Sequence, residues 1–511
     1  MLNLTGLARP WFARKVRASH AWADRSGMEA SQEATLGRLL ARAKGTETGR
    51  KYGFGGISSY EEFKRRVPVV EYPEIRHDVE RMVAGEKNVL WPGRCRRFAQ
   101  SSGTSDGKSK YIPITDDSLK YNHYAGATYS VAFYLDQVAD SRIFGGKSLI
   151  LGGSFANEIS GLPRGVKVGD LSASLIDRIN PGVNLFRVPS KEIALMSDWT
   201  EKLPAIVKSA MSEDVTNISG VPSWFLTVLK KVVEESGADT IHDVWPNLEV
   251  FFHGGISFAP YREQYDRITD VSKMHYLENY NASEGFFAAQ DSFDERGMRL
   301  LGDVGVFYEF IPLESVGEAY PESYGAWEVE PGHTYALIIS SCNGLWRYAI
   351  GDTVTVESVD PLRISVAGRT KCFINAFGEE LMVHNAEAAM SAACKATGAH
   401  VADYTAGPVY AGGGERGHHR WLIEWDVRPK DMDEFARELD RCLQSENSDY
   451  QAKRSGEIFL AAPEVVSVEK STFERWLAST GKLGGQRKVP RLSNTPDLMN
   501  KILNVKTQKN V

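Results

Sequence analysis

Cysteine is scarce: the chain has five in 511 residues (Cys95, Cys342, Cys372, Cys394 and Cys442), widely separated and odd in number. None of the spacings is that of a zinc site or a dithiol redox pair, so reduced thiols in a cytoplasmic protein are expected. No apolar run is long enough for a signal peptide or a membrane span, although Arg9, Arg14, Lys15 and Arg17 make the first residues basic. Low-complexity tracts are missing too, and so is any excess of positive charge. Against 60 Lys and Arg stand 66 Asp and Glu, a net charge of −6. That balance argues against bulk binding to nucleic acid or to an anionic membrane. What is present is a globular composition, 42% apolar and 25% charged, in a chain too long for one ordinary core. Two or more domains are expected.

One stretch organises the rest: Ser101-Ser102-Gly103-Thr104-Ser105-Asp106-Gly107-Lys108-Ser109-Lys110. Glycines and small hydroxylated residues let backbone N–H groups approach an anion, and lysine adds a compact positive charge. On chemistry alone this is a loop that holds a polyphosphate. It is not a Walker loop, which needs four residues between its glycines and then a helix. Here three residues separate Gly103 from Gly107, and 110–115 reads as a strand closed by a turn. A flexible Ser/Gly surface linker is the bland alternative. The run is short and lies between two apolar strands, 97–100 and 110–115, which argues against it.

Residues 1–66 read as mostly helical, broken by the turn Tyr52-Gly53-Phe54-Gly55-Gly56, which lacks dinucleotide-binding spacing. From about 90 to 310, short apolar strands alternate with helical stretches. Several strands end at small residues: 248–252 at Gly254-Gly255, and 275–280 at Ala282-Ser283. This pattern predicts a mainly parallel α/β layer architecture, with ligands outside the carboxyl ends of the strands. After about 330 the chain becomes richer in β. A polar break at Gly368-Arg369-Thr370-Lys371 marks the expected boundary between a large domain, 1–367, and a smaller α+β domain, 368–511.

Three further clusters follow the loop in order. Tyr280-Asn281-Ala282-Ser283-Glu284 sets an aromatic, a hydroxyl and a carboxylate at a strand end, where the carboxylate suits Mg²⁺ between phosphates and the tyrosine suits a base. Leu345-Trp346-Arg347-Tyr348-Ala349-Ile350-Gly351-Asp352 ends in an aspartate able to accept two ribose hydroxyls. Gln486-Arg487-Lys488-Val489-Pro490-Arg491 is a basic run broken by proline. Each alone has an ordinary structural explanation: a capped strand end, a hairpin turn and a solvated tail. His253 reads as a core histidine with its hydrogen bonds satisfied, and His418-His419 as part of a Gly-rich turn without metal-ligand spacing.

Taken together and in this order, the four clusters resemble the adenylate-forming enzymes, and within them the auxin-responsive acyl acid amido synthetase family of the Gretchen Hagen 3 type. The match covers nearly the whole chain. It departs from the family at Ala349, where an Arg or Lys is usual, while Arg347 is retained. The resemblance implies an AMP-forming ligase that takes ATP, Mg²⁺, a small carboxylic acid and an amine, an amino acid above all. A carboxylate attacks the α-phosphate of ATP, and the amine then displaces AMP to give an amide. It further implies roles by residue. Ser101, Ser102, Gly103, Thr104, Ser105 and Lys110 hold the β- and γ-phosphates. Glu284 binds Mg²⁺ and Ser283 the α-phosphate, Tyr280 with Asn281 faces adenine, and Asp352 with Arg369 takes the ribose. Lys488 is the catalytic lysine, with Lys482 its competitor, and Lys371 is the pivot of a hinge about which the smaller domain rotates. The acyl pocket is open between two stretches, 121–129 and 219–224. An acyl-CoA ligase forming a thioester, and a nucleotide-binding protein without turnover, are the rival functions.

Overall fold

The computed structural model describes residues 3–101, 110–155, 161–255, 258–369, 373–374, 376, 379, 381–410, 417–447, 450–451, 454, 460–480, 488–493 and 495–505. By compactness the chain divides into two units. The larger holds Met1–Ile350 and Val354–Ser365, and the smaller holds Gly351–Thr353, Val366–Leu483 and Arg487–Val511. No helix among the described residues is long and apolar enough to cross a membrane.

The larger unit opens with helices that begin at polar caps. Asp24 accepts from the Gly27 N–H ahead of Arg25–Ala43, and Ser59 accepts from Glu62 ahead of Tyr60–Arg66. Two strands then form a hairpin, β1 (Arg97–Ser101) with β2 (Lys110–Pro113). The strands that follow are β3 (Lys147–Ile150), β4 (Lys167–Gly169), β5 (Arg187–Val188), β6 (Val215–Gly220) and β7 (Val250–Gly254). After them come β8 (His275–Ala282), β9 (Gly285–Ala289), β10 (Met298–Leu300), β11 (Val306–Pro312), β12 (Tyr324–Gly325), β13 (Thr334–Ser341), β14 (Tyr348–Val359) and β15 (Leu362–Arg369).

Twelve of these strands make one sheet among the described residues, in the order β12-β11-β13-β14-β15-β10-β9-β8-β7-β6-β3-β5. The stretch from β5 through β8 is parallel, and the pairings β8–β9, β9–β10 and β10–β15 are antiparallel. The α/β layering expected from the sequence is therefore present, joined to an antiparallel half. Parallel strands buried on both faces read as unbroken apolar runs, and Val250 to Gly254 is buried throughout. Helices Pro222–Ser236 and Arg262–Ile268 cover one face through Phe225, Leu229, Phe251 and Tyr265. Helices Thr5–Ser19 and Tyr124–Gln137 cover the other through Phe12, Tyr134, Phe252 and Leu277. Each such fully buried side chain contributes roughly 1.5–3 kcal/mol. Beside this sheet, β1 pairs antiparallel with β2 and parallel with β4.

The smaller unit is α+β, as expected. Strands β16 (Phe373–Ile374) and β17 (Leu381–Met382) pair, and β18 (His400–Val409), β19 (His418–Val427) and β20 (Glu464–Val468) form a second sheet. Helices Val383–Thr397 and Met432–Glu446 pack in its core through Met390, Ala393, Phe435 and Leu439.

Candidate active site

The phosphate-type loop grows out of a ladder. Phe98 is paired with Pro113, Gln100 with Tyr111 and Ser101 with Lys110, so both stems are anchored up to the last residue before the loop. Ser102, Gly103, Thr104 and Ser105 lie outside the described residues, as does the side chain of Ser101. Lys110 is half-buried, with its Nζ 5.8 Å from the centre of the Tyr72 ring. The Tyr72 hydroxyl accepts from the Tyr111 N–H at 2.8 Å, tying the outgoing strand to helix Tyr72–Val83.

Ser283 and Glu284 are the two-residue turn between β8 and β9. A hairpin turn, and not the start of a helix, is what brings hydroxyl and carboxylate side by side. Both residues are buried. The turn is held from two directions. Asn343 donates to the Glu284 carbonyl at 3.0 Å, and its own Oδ1 accepts from the Ser341 hydroxyl. Asn122 accepts from the Phe286 N–H at 2.7 Å and donates to the carbonyls of Phe286 and Val304 at 2.9 and 3.0 Å. It sits in a π-helical turn, Leu119–His123, that leads into helix Tyr124–Gln137. Gly285 and Gly126 leave no space for a methyl. A Cβ at Gly285 would meet the Phe287 ring at 2.6 Å, and one at Gly126 the Phe286 ring at 2.4 Å. Four residues from Glu284, Tyr280 is buried edge-on against Phe287, 5.0 Å between ring centres. Asn281 is exposed and its Oδ1 lies beside Gly254, whose backbone abuts β8 so closely that a Cβ would meet the Asn279 carbonyl at 2.3 Å.

Asp352 lies inside β14 and not after a strand end, the position its motif suggested. It is buried, and the preceding Gly351 has φ +85°, a left-handed break that glycine adopts freely. Arg369 closes β15; its side chain is outside the described residues, as are Lys371 and Lys482.

Arg347, retained where Ala349 departs from the family pattern, does not stand in for the contact that Ala349 puts in doubt. Its side chain is fully buried within the larger unit, and its donors are taken. Nε bonds both carboxylate oxygens of Glu309 at 3.0 and 3.1 Å, and one terminal nitrogen bonds the Lys64 and Val67 carbonyls at 2.9 Å each. The other reaches Ser323 and Glu309 at 2.9 Å. This arginine is part of the core.

Lys488 is exposed on a well-anchored segment. Val489 beside it is buried against Leu422, Phe473 and Met499. The Pro490 carbonyl accepts from Thr405, Arg491 pairs with Asp403 and lies 4.6 Å over the Tyr404 ring, and Leu492 bridges in parallel to Ala406 of β18. The proline and second arginine of the motif therefore fix the base from which the lysine extends.

Two histidine readings change. His418 and His419 lie on strand β19, where His419 is buried and hydrogen-bonded to Glu379 at 2.8 Å. His253 is buried with an Nδ1 that finds no partner among the described residues. Sequence reasoning also missed Asn343, and it named Asn122 only as part of the 121–129 stretch offered for the acyl pocket, not as a support of the turn. Single asparagines inside helical and turn sequence carry no signal of their own. At the carboxyl end of β3, buried Lys202 donates to the carbonyls of Gly152 and Met196 at 2.6 and 3.1 Å, and burial lowers its ammonium to about 8. A cavity of about 350 Å³ in the smaller unit, lined by Arg437, Asp440, Arg441, Gln444, Ser445 and Gln451, contains none of the motif residues.

Among the described residues no group of three or more His, Cys, Asp or Glu side chains could hold a metal. Glu284 belongs to no such group among the described residues, and the donors its turn offers are one carboxylate and the Ser283 hydroxyl. That donor set fits Mg²⁺, which keeps much of its shell as water and substrate phosphate, and does not fit a structural zinc or calcium cage.

The fold is the one adopted by adenylate-forming enzymes. It matches the acyl acid amido synthetase GH3.15 solved in complex with 2,4-DB with a TM-score of 0.78 at 17% identity, over 96% of this chain and 95% of that one. It also matches 2-hydroxyisobutyryl-CoA ligase in its postadenylation state, TM-score 0.61 at 12% identity, over 93% and 91% of the two chains. Within that class the sequence is specific. The GH3 family N-terminal domain matches residues 23–181 and 165–274, the central domain 300–369 and the C-terminal domain 384–497. The chain belongs to the GH3 family. Among curated relatives, indole-3-acetic acid-amido synthetase GH3.4 of Arabidopsis thaliana is 22% identical over 91% of this chain and 89% of its own length. Jasmonoyl–L-amino acid synthetase JAR4 of Nicotiana attenuata is 23% identical over 90% of each. The family resemblance read from the four motifs is borne out.

Proposed function

We propose that this protein is an ATP-dependent acyl acid amido synthetase, which adenylates a small carboxylic acid and passes the acyl group to the amine of an amino acid. The observation that carries the reading is the buried Ser283-Glu284 hairpin turn, with Tyr280 on the strand before it, in a chain that matches this family across its N-terminal, central and C-terminal models. One anion must attack another, so the protein's task is to neutralise charge and align the reactants. Ser101, Ser102, Gly103, Thr104, Ser105 and Lys110 hold the terminal phosphates of ATP. Ser283 donates to the α-phosphate, Tyr280 and Asn281 bound the adenine, and Asp352 and Arg369 take the ribose. Bound at Glu284, Mg²⁺ would screen the charge between phosphates. Lys488, on a segment anchored by its neighbours, supplies the positive charge for the α-phosphoryl oxygen and the attacking carboxylate. Its position beyond 368–371 requires the 368–511 domain to close for adenylation and to rotate for amide formation, with Lys371 as the pivot. The setting is the cytoplasm, with ATP and amino acids at hand.

The test is carboxylate-dependent exchange of pyrophosphate into ATP across a panel of aromatic and aliphatic acids. Mass spectrometry of products then follows, with amino acids or coenzyme A as acceptor. Exchange with at least one acid, and an amide from an amino acid, is the expected result. A thioester in place of the amide replaces the second half of the reading, and no exchange with any acid refutes the whole.

A further inference from the structure

Two polar side chains outside the motifs share one row of the parallel sheet. His253 on β7 and Glu278 on β8 are Cα partners, so they are neighbours about 4.8 Å apart across the ladder and point to the same face. Tyr280, two residues on, is on that face as well, by the period of two along a strand. The opposite face belongs to Leu277 and Phe252, packed under helices Thr5–Ser19 and Tyr124–Gln137.

His253 is left with a ring nitrogen that no described residue bonds, and Glu278 with a carboxyl open to a partner. His253 is 4% exposed, and its Nδ1 has no partner among the described residues. The Glu278 carboxyl makes no hydrogen bond or ion pair among the described residues, although its backbone N–H donates to Gln290. Glu278 is half-buried, enclosed by protein without being sealed from solvent. Burial raises its carboxyl above the usual range, and burial, aided by the Arg262 charge, lowers the His253 imidazole to about 3. Both are driven toward their uncharged forms, in which each can donate and accept. Leaving such groups unpaired costs stability, and a native structure that does so holds them for something else.

The wall around them is aromatic. Phe258 stacks on His253 at 4.5 Å and 28°, and Tyr276 lies 4.7 Å from Phe258. Phe258, Tyr276 and Trp224 are only half-buried. Trp224, in the first turn of helix Pro222–Ser236, falls in one of the two stretches left open for the acyl pocket.

We propose that Glu278 and His253 form the polar end of the acyl pocket, and that the acid activated here is an aromatic acid whose ring carries a hydroxyl or amino substituent hydrogen-bonded to them. The inference rests on the adenylation reading above and names its substrate class. Either substituent both donates and accepts, so it can bond the Glu278 carboxyl and the neutral His253 imidazole together. A bare ring would leave both groups dry and unpaired.

Matched acids test it: phenylacetate with 4-hydroxyphenylacetate, indole-3-acetate with its 5-hydroxy form, and benzoate with 4-aminobenzoate. Each is measured by exchange and by calorimetric binding, on the wild type, Glu278→Gln, Glu278→Leu and His253→Asn. The wild type should prefer the substituted member of at least one pair by about 10²-fold in kcat/KM. Glu278→Leu should bring that ratio to near 1, chiefly through loss of kcat/KM for the substituted acid, and Glu278→Gln should keep part of the preference. Exchange without preference in any pair, or equal losses for both members in Glu278→Leu and Glu278→Gln, overturns the assignment. Calorimetric selectivity without exchange refutes adenylation and leaves the pocket standing. Neither binding nor exchange with any acid refutes both.

Discussion

Replacing Arg347 separates a core residue from a nucleotide ligand. Arg347→Met keeps the length of the side chain and removes its charge and donors. Glu309, fully buried, is left with only the Tyr60 hydroxyl at 3.2 Å. The Lys64 and Val67 carbonyls lose this donor as well, and the Ser323 hydroxyl keeps the contact from the Tyr60 hydroxyl at 3.3 Å. Breaking a buried ion pair from one side costs about 3–5 kcal/mol, because a charge stays behind without compensation. With a urea dependence of about 3 kcal/mol per molar, the unfolding midpoint falls by about 1–1.7 M. Leucine at 309 in the Arg347→Met background removes the stranded charge and should regain most of that loss. Methionine is preferred to glycine because Arg347 has φ +41°, and glycine would relieve backbone strain at the same time. The assay is urea titration followed by tryptophan fluorescence, with pyrophosphate exchange measured without urea per folded molecule. Exchange should stay within a few-fold of wild type. An unchanged midpoint with exchange down a hundredfold would refute the core role and return Arg347 to the nucleotide.

Three further outcomes are expected. Lys488→Ala should lower exchange by about 10²–10³-fold with no change in urea midpoint, since the side chain is exposed; near-normal exchange would transfer the role to Lys482. Glu284→Gln should raise the Mg²⁺ concentration for half-maximal exchange by about tenfold, and an unaltered Mg²⁺ titration would remove Glu284 as the metal ligand. Burial brings the Lys202 ammonium down to about 8 in the folded protein, from an ordinary 10.5. Between those values the unfolded chain binds the extra proton, so this group's contribution to stability rises with pH across that window, and below it the buried charge is a standing cost. The urea midpoint of wild type relative to Lys202→Met should therefore climb from pH 8 to 10; a flat difference would contradict the burial of a charged ammonium.

Much of the frame was legible because small polar residues interrupt apolar runs only where the chain turns. The stems of the 101–110 loop, the strands ending at Gly254 and Ala282, and the smaller α+β unit all follow from that contrast. The adenylate-forming reading came from the order of four motifs. What the sequence hid is what depends on partners distant in the chain. Arg347 looks like an anion ligand until Glu309 and the Lys64 and Val67 carbonyls surround it, and no local pattern announces a pairing across 38 or 283 residues. His253 looked satisfied because most buried histidines are, and only the neighbouring strands show its Nδ1 left over. Asp352 read as an aspartate at a strand end, with a hairpin turn as the ordinary alternative; Gly351-Asp352 is instead a left-handed step within a continuous strand.

The segment carrying Lys488 has a further effect on how the smaller unit behaves in company. A sheet border with open N–H and C=O groups invites another chain to join it. The border of β18 is instead occupied by the protein's own tail: the Ala406 N–H donates to the Arg491 carbonyl, and the Ser493 N–H to the Ala406 carbonyl, each at 2.9 Å. Substitutions at Pro490 or Arg491 that peel this tail away would thus bring two defects at once, a misdirected lysine and a naked edge prone to self-association.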